Sequence, residues 1–170
     1  MRVLPFALAA AGAAASPAMA ADLNVSVEIP RIATASYHRP YVAVWIERAD
    51  RTSAGTLAVW YDTALPAGEG KDWLKDMRTW WRREGRAMTL PADGVSSATR
   101  APGRHSLTFS SARGPLRNLP AGQYTLVVEA ARELGGREEV RVPFRWGAAS
   151  PAATQRGSSE LGAVTVSVTR

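Results

Sequence analysis

The sequence predicts an all-β domain of two sheets with a single helical insertion. Several short segments alternate apolar and polar residues, or are dense in β-branched and aromatic residues, as strands are. Turn residues separate these segments, and only residues 71–85 carry apolar residues at helical spacing. Short strands at such spacing favour an immunoglobulin-like β-sandwich of about seven strands with one inserted amphipathic helix. A small barrel is the alternative.

The first three strands follow from their residue patterns. Residues 23–29 ("LNVSVEI") alternate strictly, which predicts a half-buried strand. Residues 41–47 ("YVAVWIE") and 55–62 ("GTLAVWYD") are more continuously β-branched and aromatic, which predicts central strands. The polar residues 48–54 are expected to join these two strands as a hairpin connection.

The inserted helix is predicted over residues 71–85. Its apolar face has the spacing i, i+4, i+7 and i+8, and consists of Trp73, Met77, Trp80 and Trp81. Gly85 is a suitable end for it. Such a stripe most often packs on a sheet, and this interpretation is favoured over a surface that holds a ligand.

The second half of the chain predicts four more strands: 104–110, 122–133, 138–146 and 161–169. Gly135-Gly136 predicts a hairpin between the second and third of these. The segment "LPAGQYTL", in which a Pro-Gly turn leads to Tyr124, resembles the tyrosine corner of immunoglobulin-like sandwiches. Residues 147–160 are small and polar, which predicts a long surface loop.

The amino terminus predicts export. A short positive start at Arg2 precedes an apolar run, and Ala18 and Ala20 occupy the small-residue positions before a cleavage site. The run is shorter than the roughly 20 apolar residues of a spanning helix, which argues against a membrane anchor. Residues 1–20 are therefore expected to be a signal peptide, and residues 21–170 a single exported domain.

Composition excludes several classes of function. The chain has no cysteine, so disulfides, thiol catalysis and zinc–thiolate sites are absent. The net charge is +6, but basic and acidic residues are interspersed, which indicates a solvated surface rather than a nucleic-acid interface. Neither a nucleophile elbow nor a glycine-rich phosphate loop occurs. His38 and His105 are weak metal candidates, because a metal usually needs clustered ligands.

The segment "DGVSSAT" (93–99) resembles the motif that periplasmic flavin transferases recognise. Asp93, Ser96, Ala98 and Thr99 match it, whereas Ser97 stands where the motif usually has glycine. In that motif the final hydroxyl, here Thr99, is joined to FMN through a phosphoester. Small neighbours and an exposed, mobile loop would let the hydroxyl enter the transferase. The alternative is a turn of small polar residues, since short motifs often match by chance.

The chain as a whole resembles a family of small periplasmic proteins, domain of unknown function 2271. The resemblance rests on several segments, among them "HRPYVAVWIE" (38–47), "WLKDMRTWWR" (73–82), "DGVSSATRAPG" (93–103) and "LPAGQYTLVVEAARELGGRE" (119–138). It implies a periplasmic flavoprotein that passes electrons, in iron or siderophore reduction. It also implies two partners, a flavin transferase and a PepSY-type membrane protein.

If FMN is attached to Thr99, neighbouring residues acquire expected roles. Trp80 or Trp81 would stack on the flavin, and Arg100 or Arg104 would pair with its phosphate and favour the reduced form. The protein would then be an electron carrier rather than a complete enzyme. Two alternatives remain: a binding or accessory module without a cofactor, and a metal or haem chaperone that uses Tyr37 and His38.

Overall fold

The computed structural model describes residues 21–170, which form two β-sheets. In chain order the strands are β1 (Asp22–Ile29), β2 (Tyr41–Glu47), β3 (Ser53–Tyr61), β4 (Ser96–Ala98), β5 (Gly103–Ser110), β6 (Gly122–Ala131), β7 (Arg137–Trp146), β8 (Ser150–Arg156) and β9 (Ala163–Thr169). One sheet has the order β5-β1-β9-β8 and the other β4-β3-β2-β6-β7. Every neighbouring pair is antiparallel except β3 and β4, which are parallel. The all-β prediction is confirmed, and the predicted signal peptide lies outside the described residues.

The main core lies between the two sheets and contains alternate residues of their strands. In β1, the predicted alternation is confirmed, since Leu23, Val25, Val27 and Ile29 are all buried. They meet apolar residues of β2, β6 and β7 across the core. Burying each such side chain contributes about 1.5–3 kcal/mol to the stability of the fold. The apolar face therefore determines which side of each strand faces the core.

A second core covers the outer face of the five-stranded sheet. Residues between β3 and β4 pack there, with Leu74, Met77 and Trp80 fully buried against Trp45. This confirms that the tryptophan stripe mainly packs on the sheet. Trp73 is the exception, because half of its side-chain surface remains exposed.

The predicted continuous helix over 71–85 is wrong in extent. The segment forms one α-helix, α1 (Arg78–Arg83), flanked by short 3₁₀ turns at Pro66–Lys71, Leu74–Asp76 and Gly85–Ala87. Met77 has a non-helical backbone with ψ of 73°, which separates α1 from the preceding turn. The backbone N–H groups of Thr79 and Trp80, in the first turn of α1, donate hydrogen bonds to the carboxylate of Glu129 in β6.

Two segments predicted as loops contain strands. Residues 147–160 include β8, which pairs with β9 at the edge of its sheet, and the hydroxyls of Thr154 and Thr165 lie 2.8 Å apart. Edge strands can carry small polar residues because one side faces solvent, so the pattern did not reveal β8. Residues 91–103 include β4, a three-residue strand on the edge of β3. The described chain therefore has nine strands rather than about seven.

The predicted turn chemistry is confirmed at two places. Gly135 and Gly136 lie in the turn between β6 and β7, and Arg132 N–H donates to the carbonyl of Gly136 over 3.0 Å. The Tyr124 hydroxyl donates to the carbonyl of Pro120 over 2.8 Å, the bond expected of a tyrosine corner. These contacts fix the two ends of β6.

Candidate functional site

A cavity of about 570 Å³ lies at one edge of the five-stranded sheet. Because β2 runs antiparallel to β3 and β6, and β4 runs parallel to β3, the start of β2 meets the ends of the other three strands there. Tyr61 pairs with Ala98, and Tyr41 pairs with Ala131. The site is thus a product of the strand order, assembled from five segments of the chain.

Aromatic side chains form much of the cavity wall. Tyr37 comes from the connection before β2, Tyr41 from the start of β2, and Trp73 from the segment before α1. The rings of Tyr41 and Tyr61 meet edge to face with centroids 6.5 Å apart. Burial raises the pKa values of Tyr37 and Tyr41, so both hydroxyls stay protonated at neutral pH. A cavity of this volume with aromatic walls is typical of small-molecule sites, which span about 300–1,000 Å³.

Arg132 is the buried cation of this cavity. Its Nε donates to Glu160 Oε2 over 2.9 Å and its Nη2 to Oε1 over 3.1 Å, and the side chain is only 7% exposed. Gly136 N–H donates to the same carboxylate over 2.7 Å. Hydrogen bonding to Glu160 raises the pKa of Arg132 further, so it remains charged.

Two buried donors at this cavity lack partners. Among residues 21–170, neither Arg132 Nη1 nor the Tyr37 hydroxyl has a hydrogen-bond partner. The Arg132 guanidinium also lies over the Tyr37 ring, 5.8 Å from its centroid, so the two groups are neighbours. Leaving a buried polar group without a hydrogen bond costs about 1–3 kcal/mol of stability. A ligand that accepts from both groups would remove this cost.

Other charged groups around the cavity have mixed signs. Asp62, Asp76 and Glu133 line it together with Arg39 and Arg132. Glu133 lies 3.3 Å from His38, measured from Oε2 to Nδ1. The cavity is therefore not a uniformly basic patch.

The transferase-like motif begins in a turn and ends at the cavity. Ser96 N–H donates to the carbonyl of Ala92 over 2.9 Å, and Ser96 Oγ accepts from Ala92 N–H over 3.0 Å. The Val59 N–H of β3 donates to the carbonyl of Val95 over 2.9 Å. These bonds attach the motif to the sheet edge, and the half-buried Thr99 that follows β4 lines the cavity. Asp93 lies elsewhere, exposed at a second cavity of about 400 Å³.

The motif is therefore not the free loop that was predicted. Its central residues form β4, because the exposed edge of β3 offers backbone partners that a sequence pattern does not reveal. Ser97 pairs with Trp60 in this strand and has no positive φ. The backbone at this position thus suits any residue, and serine in place of glycine introduces no strain in the folded chain.

The structure separates the predicted flavin-stacking residues from Thr99. Trp80 is fully buried and its indole N–H donates to Thr56 Oγ1 over 2.9 Å, so its faces are not available to a ligand. Trp81 is partly buried beside it, with ring centroids 6.3 Å apart, and does not line the cavity. Of the three tryptophans in the stripe, Trp73 lines the cavity.

The predicted phosphate partners lie apart from the cavity as well. Arg100 has its guanidinium over the Trp60 ring, 5.2 Å from the centroid, and its Nε is buried without a partner among the described residues. Arg104 is exposed in β5, opposite Glu28. Of the predicted cofactor residues, Ala98 and Thr99 line the cavity and the others do not.

The two histidines occupy different places. His38 lines the cavity and its Nε2 lies 3.1 Å from Ser36 Oγ. His105 packs edge to face on Trp60, with centroids 5.7 Å apart, and its Nε2 lies 2.8 Å from the carbonyl of Ala101. Within residues 21–170, no group of three or more His, Asp or Glu side chains is arranged to hold a metal ion.

Sequence reasoning missed the roles of Arg132, Glu160 and Trp73 at this site. Arg132 is the first residue after β6, and its partner Glu160 comes 28 residues later, so no local pattern joins them. Trp73 was assigned to the apolar face of a continuous helix. The interruption at Met77 turns it toward the cavity instead.

A family model described as "Predicted periplasmic protein (DUF2271)" matches residues 22–163. The match covers most of the chain, so the chain belongs to this family, which confirms the resemblance found in the sequence. No curated protein and no solved structure matches the chain. In the part of the chain that the structure describes, no helix has the length and apolarity needed to cross a membrane.

Proposed function

We propose that this protein is a periplasmic electron carrier with FMN attached covalently to Thr99. The observation that carries the proposal is that the residue matching the modified position of the motif lines a cavity of about 570 Å³ together with Tyr37, Tyr41 and Trp73. When bound, the flavin would supply one- and two-electron redox chemistry.

The attachment reaction is a phosphoryl transfer from FAD catalysed by a separate flavin transferase. The Thr99 Oγ attacks the phosphorus of the FMN half, the Oγ–P bond forms, and the pyrophosphate P–O bond breaks with AMP as leaving group. The hydroxyl proton passes to a base of the transferase. No electrons are exchanged, and Thr99 contributes only the nucleophilic oxygen.

The residues present fit a flavin in three respects. Tyr41 and Trp73 offer aromatic surface for a planar ring. The unpartnered donors of Tyr37 and Arg132 suit carbonyl or ring-nitrogen acceptors. Thr99 is only half-buried, so its hydroxyl lies at the boundary between cavity and solvent.

Access to Thr99 requires a local change at the sheet edge. A transferase must receive the hydroxyl within its own active site, whereas β4 is paired with β3 over Ser96–Ala98. A three-residue edge strand has few backbone hydrogen bonds to lose, so release of this segment costs far less than unfolding the domain. We infer that the segment leaves β3 for modification and pairs with it again afterwards.

Three further features belong to the same proposal. The tyrosine-corner bond of Tyr124 and the two-sheet core support an immunoglobulin-like fold. The amino-terminal pattern supports cleavage after Ala20 and release of one periplasmic domain, 21–170. The family resemblance supports a PepSY-type membrane protein as electron-transfer partner and iron or siderophore reduction as the process served.

The test is the mass of the intact protein, produced with and without a periplasmic flavin transferase. We expect a mass increase of one FMN less one water, visible also as flavin fluorescence after denaturation. Thr99→Ala should abolish it. Thr63→Ala is the matched control, because Thr63 lines the same cavity but lies outside the motif. An unmodified wild-type chain, with a transferase that modifies a control substrate, would contradict the proposal.

A second candidate function, a binding module without cofactor, is favoured by one observation. Trp73 is 50% exposed at the cavity, and Leu134 in the β6–β7 turn is 81% exposed. These apolar groups suit a noncovalent partner. In that case Thr99→Ala would leave partner binding unchanged and Trp73→Ala would weaken it, as pull-down with the membrane partner would measure.

A further inference from the structure

We propose that Arg132 and Tyr37 form a donor pair for the redox-active ring of the tethered flavin, not for its phosphate. This assignment rests on the proposed function and deepens it. It starts from the two buried donors, Arg132 Nη1 and Tyr37 Oη, that have no partner among residues 21–170. Both residues line the cavity that Thr99 also lines.

The strand order separates the donor pair from the attachment point. Thr99 follows β4 and Arg132 follows β6, and β3 and β2 lie between them. Three strand spacings of about 4.8 Å separate these strand ends by roughly 14 Å. The phosphate bonded to Thr99 Oγ therefore stays near β4, and the part of the ligand that reaches β6 must be its distal end.

The distal end of a phosphate-tethered FMN is the isoalloxazine ring. One edge of that ring carries two carbonyls and a ring nitrogen, which are hydrogen-bond acceptors, and reduction adds negative charge there. Tyr41, at the start of β2, lines the cavity between the two strand ends and offers aromatic surface there. Arg132 and Tyr37 would hold the acceptor edge of the ring.

The chemistry of the pair suits this acceptor. Arg132 is fixed by two hydrogen bonds to Glu160, so its remaining Nη1 is held in place before a ligand arrives. The negative charge of Glu160 offsets the positive charge of Arg132. Arg132 would therefore act on a ligand mainly as a directional hydrogen-bond donor. Tyr37 stays protonated because burial raises its pKa, and it has an O–H to donate. Donors that strengthen their bonds as charge develops stabilise the reduced ring.

The experiment measures the flavin midpoint potential and absorption spectrum of fully flavinylated protein. Tyr37→Phe removes one hydroxyl and keeps the ring beside Arg132. The double variant Arg132→Met/Glu160→Gln removes the second donor without leaving a buried charge unpaired. Arg104→Gln is the control, since Arg104 is exposed in β5 of the other sheet. Intact mass and thermal unfolding confirm that each variant is modified and folded.

We expect a more negative midpoint potential in Tyr37→Phe and a larger negative shift in the double variant, each with an altered flavin absorption band. Arg104→Gln should match the wild type. Fully modified, folded Tyr37→Phe with the wild-type potential and spectrum would overturn the assignment and leave flavin attachment intact. A wild-type chain that acquires no FMN would instead overturn the proposed function, and the assignment with it. If the double variant does not fold, Tyr37→Phe alone decides.

Discussion

Two groups of buried ionic residues on the five-stranded sheet differ in how completely they are paired. Beneath α1, the carboxylates of Glu47 and Glu129 are fully buried, and each oxygen accepts from the protein. At the cavity, Glu160 is equally satisfied, but Arg132 Nη1 and Tyr37 Oη are not. A buried ionic group whose hydrogen bonds are all made within the protein stabilises the fold. Two unpaired donors of residues that line one cavity are the pattern on which we base the proposal of a ligand there.

The paired group has an identifiable structural task. Glu129 accepts from Thr79 N–H over 3.1 Å, from Trp80 N–H over 2.8 Å and from the Arg137 guanidinium over 2.6 Å. It thereby caps a short helix that has no side-chain cap of its own. Glu47 accepts from the Trp45 indole and pairs with Arg141. Glu129 thereby fastens α1 over the second core, and Glu47 reaches the same helix through its ion pair with Arg83, over 3.3 Å.

The largest effect is expected from breaking this paired group. Glu129→Ala leaves two buried N–H groups and Arg137 without their acceptor, and we expect a loss of about 3–5 kcal/mol in the free energy of unfolding. Urea denaturation measures it. Glu139→Gln is the matched control, because Glu139 is partly exposed and pairs with Arg141 at the surface, which is worth at most about 1 kcal/mol. Equal losses for the two variants would contradict the distinction.

A smaller effect is expected from Glu138, near the start of β7. Burial alone would raise its pKa, but N–H groups of Ser158, Leu161 and Ser159 and the Ser158 hydroxyl outweigh burial and lower the pKa to about 2. Glu138 thereby holds the turn that presents Glu160 to Arg132.

Because the folded-state pKa of Glu138 is below the unfolded value, its contribution is present above about pH 4.5. It is lost as pH falls toward about 2, and we expect a decrease on the order of 1–2 kcal/mol. Unfolding measured across this range should show a weaker pH dependence in Glu138→Gln than in the wild type. The same slope in both would show that Glu138 is not responsible.

The smallest effect is expected at the edge strand that carries the motif. Ser96→Ala removes the bond from Ala92 N–H, and we expect a loss of about 0.5–1.5 kcal/mol, confined to β4. Hydrogen exchange of the Val59 amide, which donates to the carbonyl of Val95, should accelerate while that of the β1 amides stays unchanged. Uniform acceleration across both sheets would mean that β4 does not open independently.

The sequence predicted the parts of the fold whose signal is local. Alternation identified β1, and Gly135-Gly136 identified the β6–β7 turn. It did not predict β4 or β8, because short polar edge strands depend on the neighbouring edge to which they pair. The helix was overestimated, since its start is set by Glu129, about fifty residues along the chain.

The candidate site likewise combines a residue with a local sequence signal and residues that meet only in the folded chain. Thr99 was identified from a short motif, which is a local signal. Tyr37 and His38 were named as candidate ligands for a metal or haem, but their position beside Thr99 could not be predicted, because the cavity residues meet only through the order of the strands. Trp80 was expected beside the flavin as an aromatic residue of the helix, and Arg104 because it flanks the motif, and the fold directs both elsewhere.

The most direct measurement is peptide mapping of protein produced with a flavin transferase. Trypsin releases peptide 87–100, which contains Thr89, Ser96, Ser97 and Thr99 as hydroxyl residues. Fragmentation of this peptide should find a single FMN, bonded to Thr99 alone. An unmodified peptide, or FMN on one of the other three hydroxyls, would contradict a carrier built around Thr99 and the cavity that it lines.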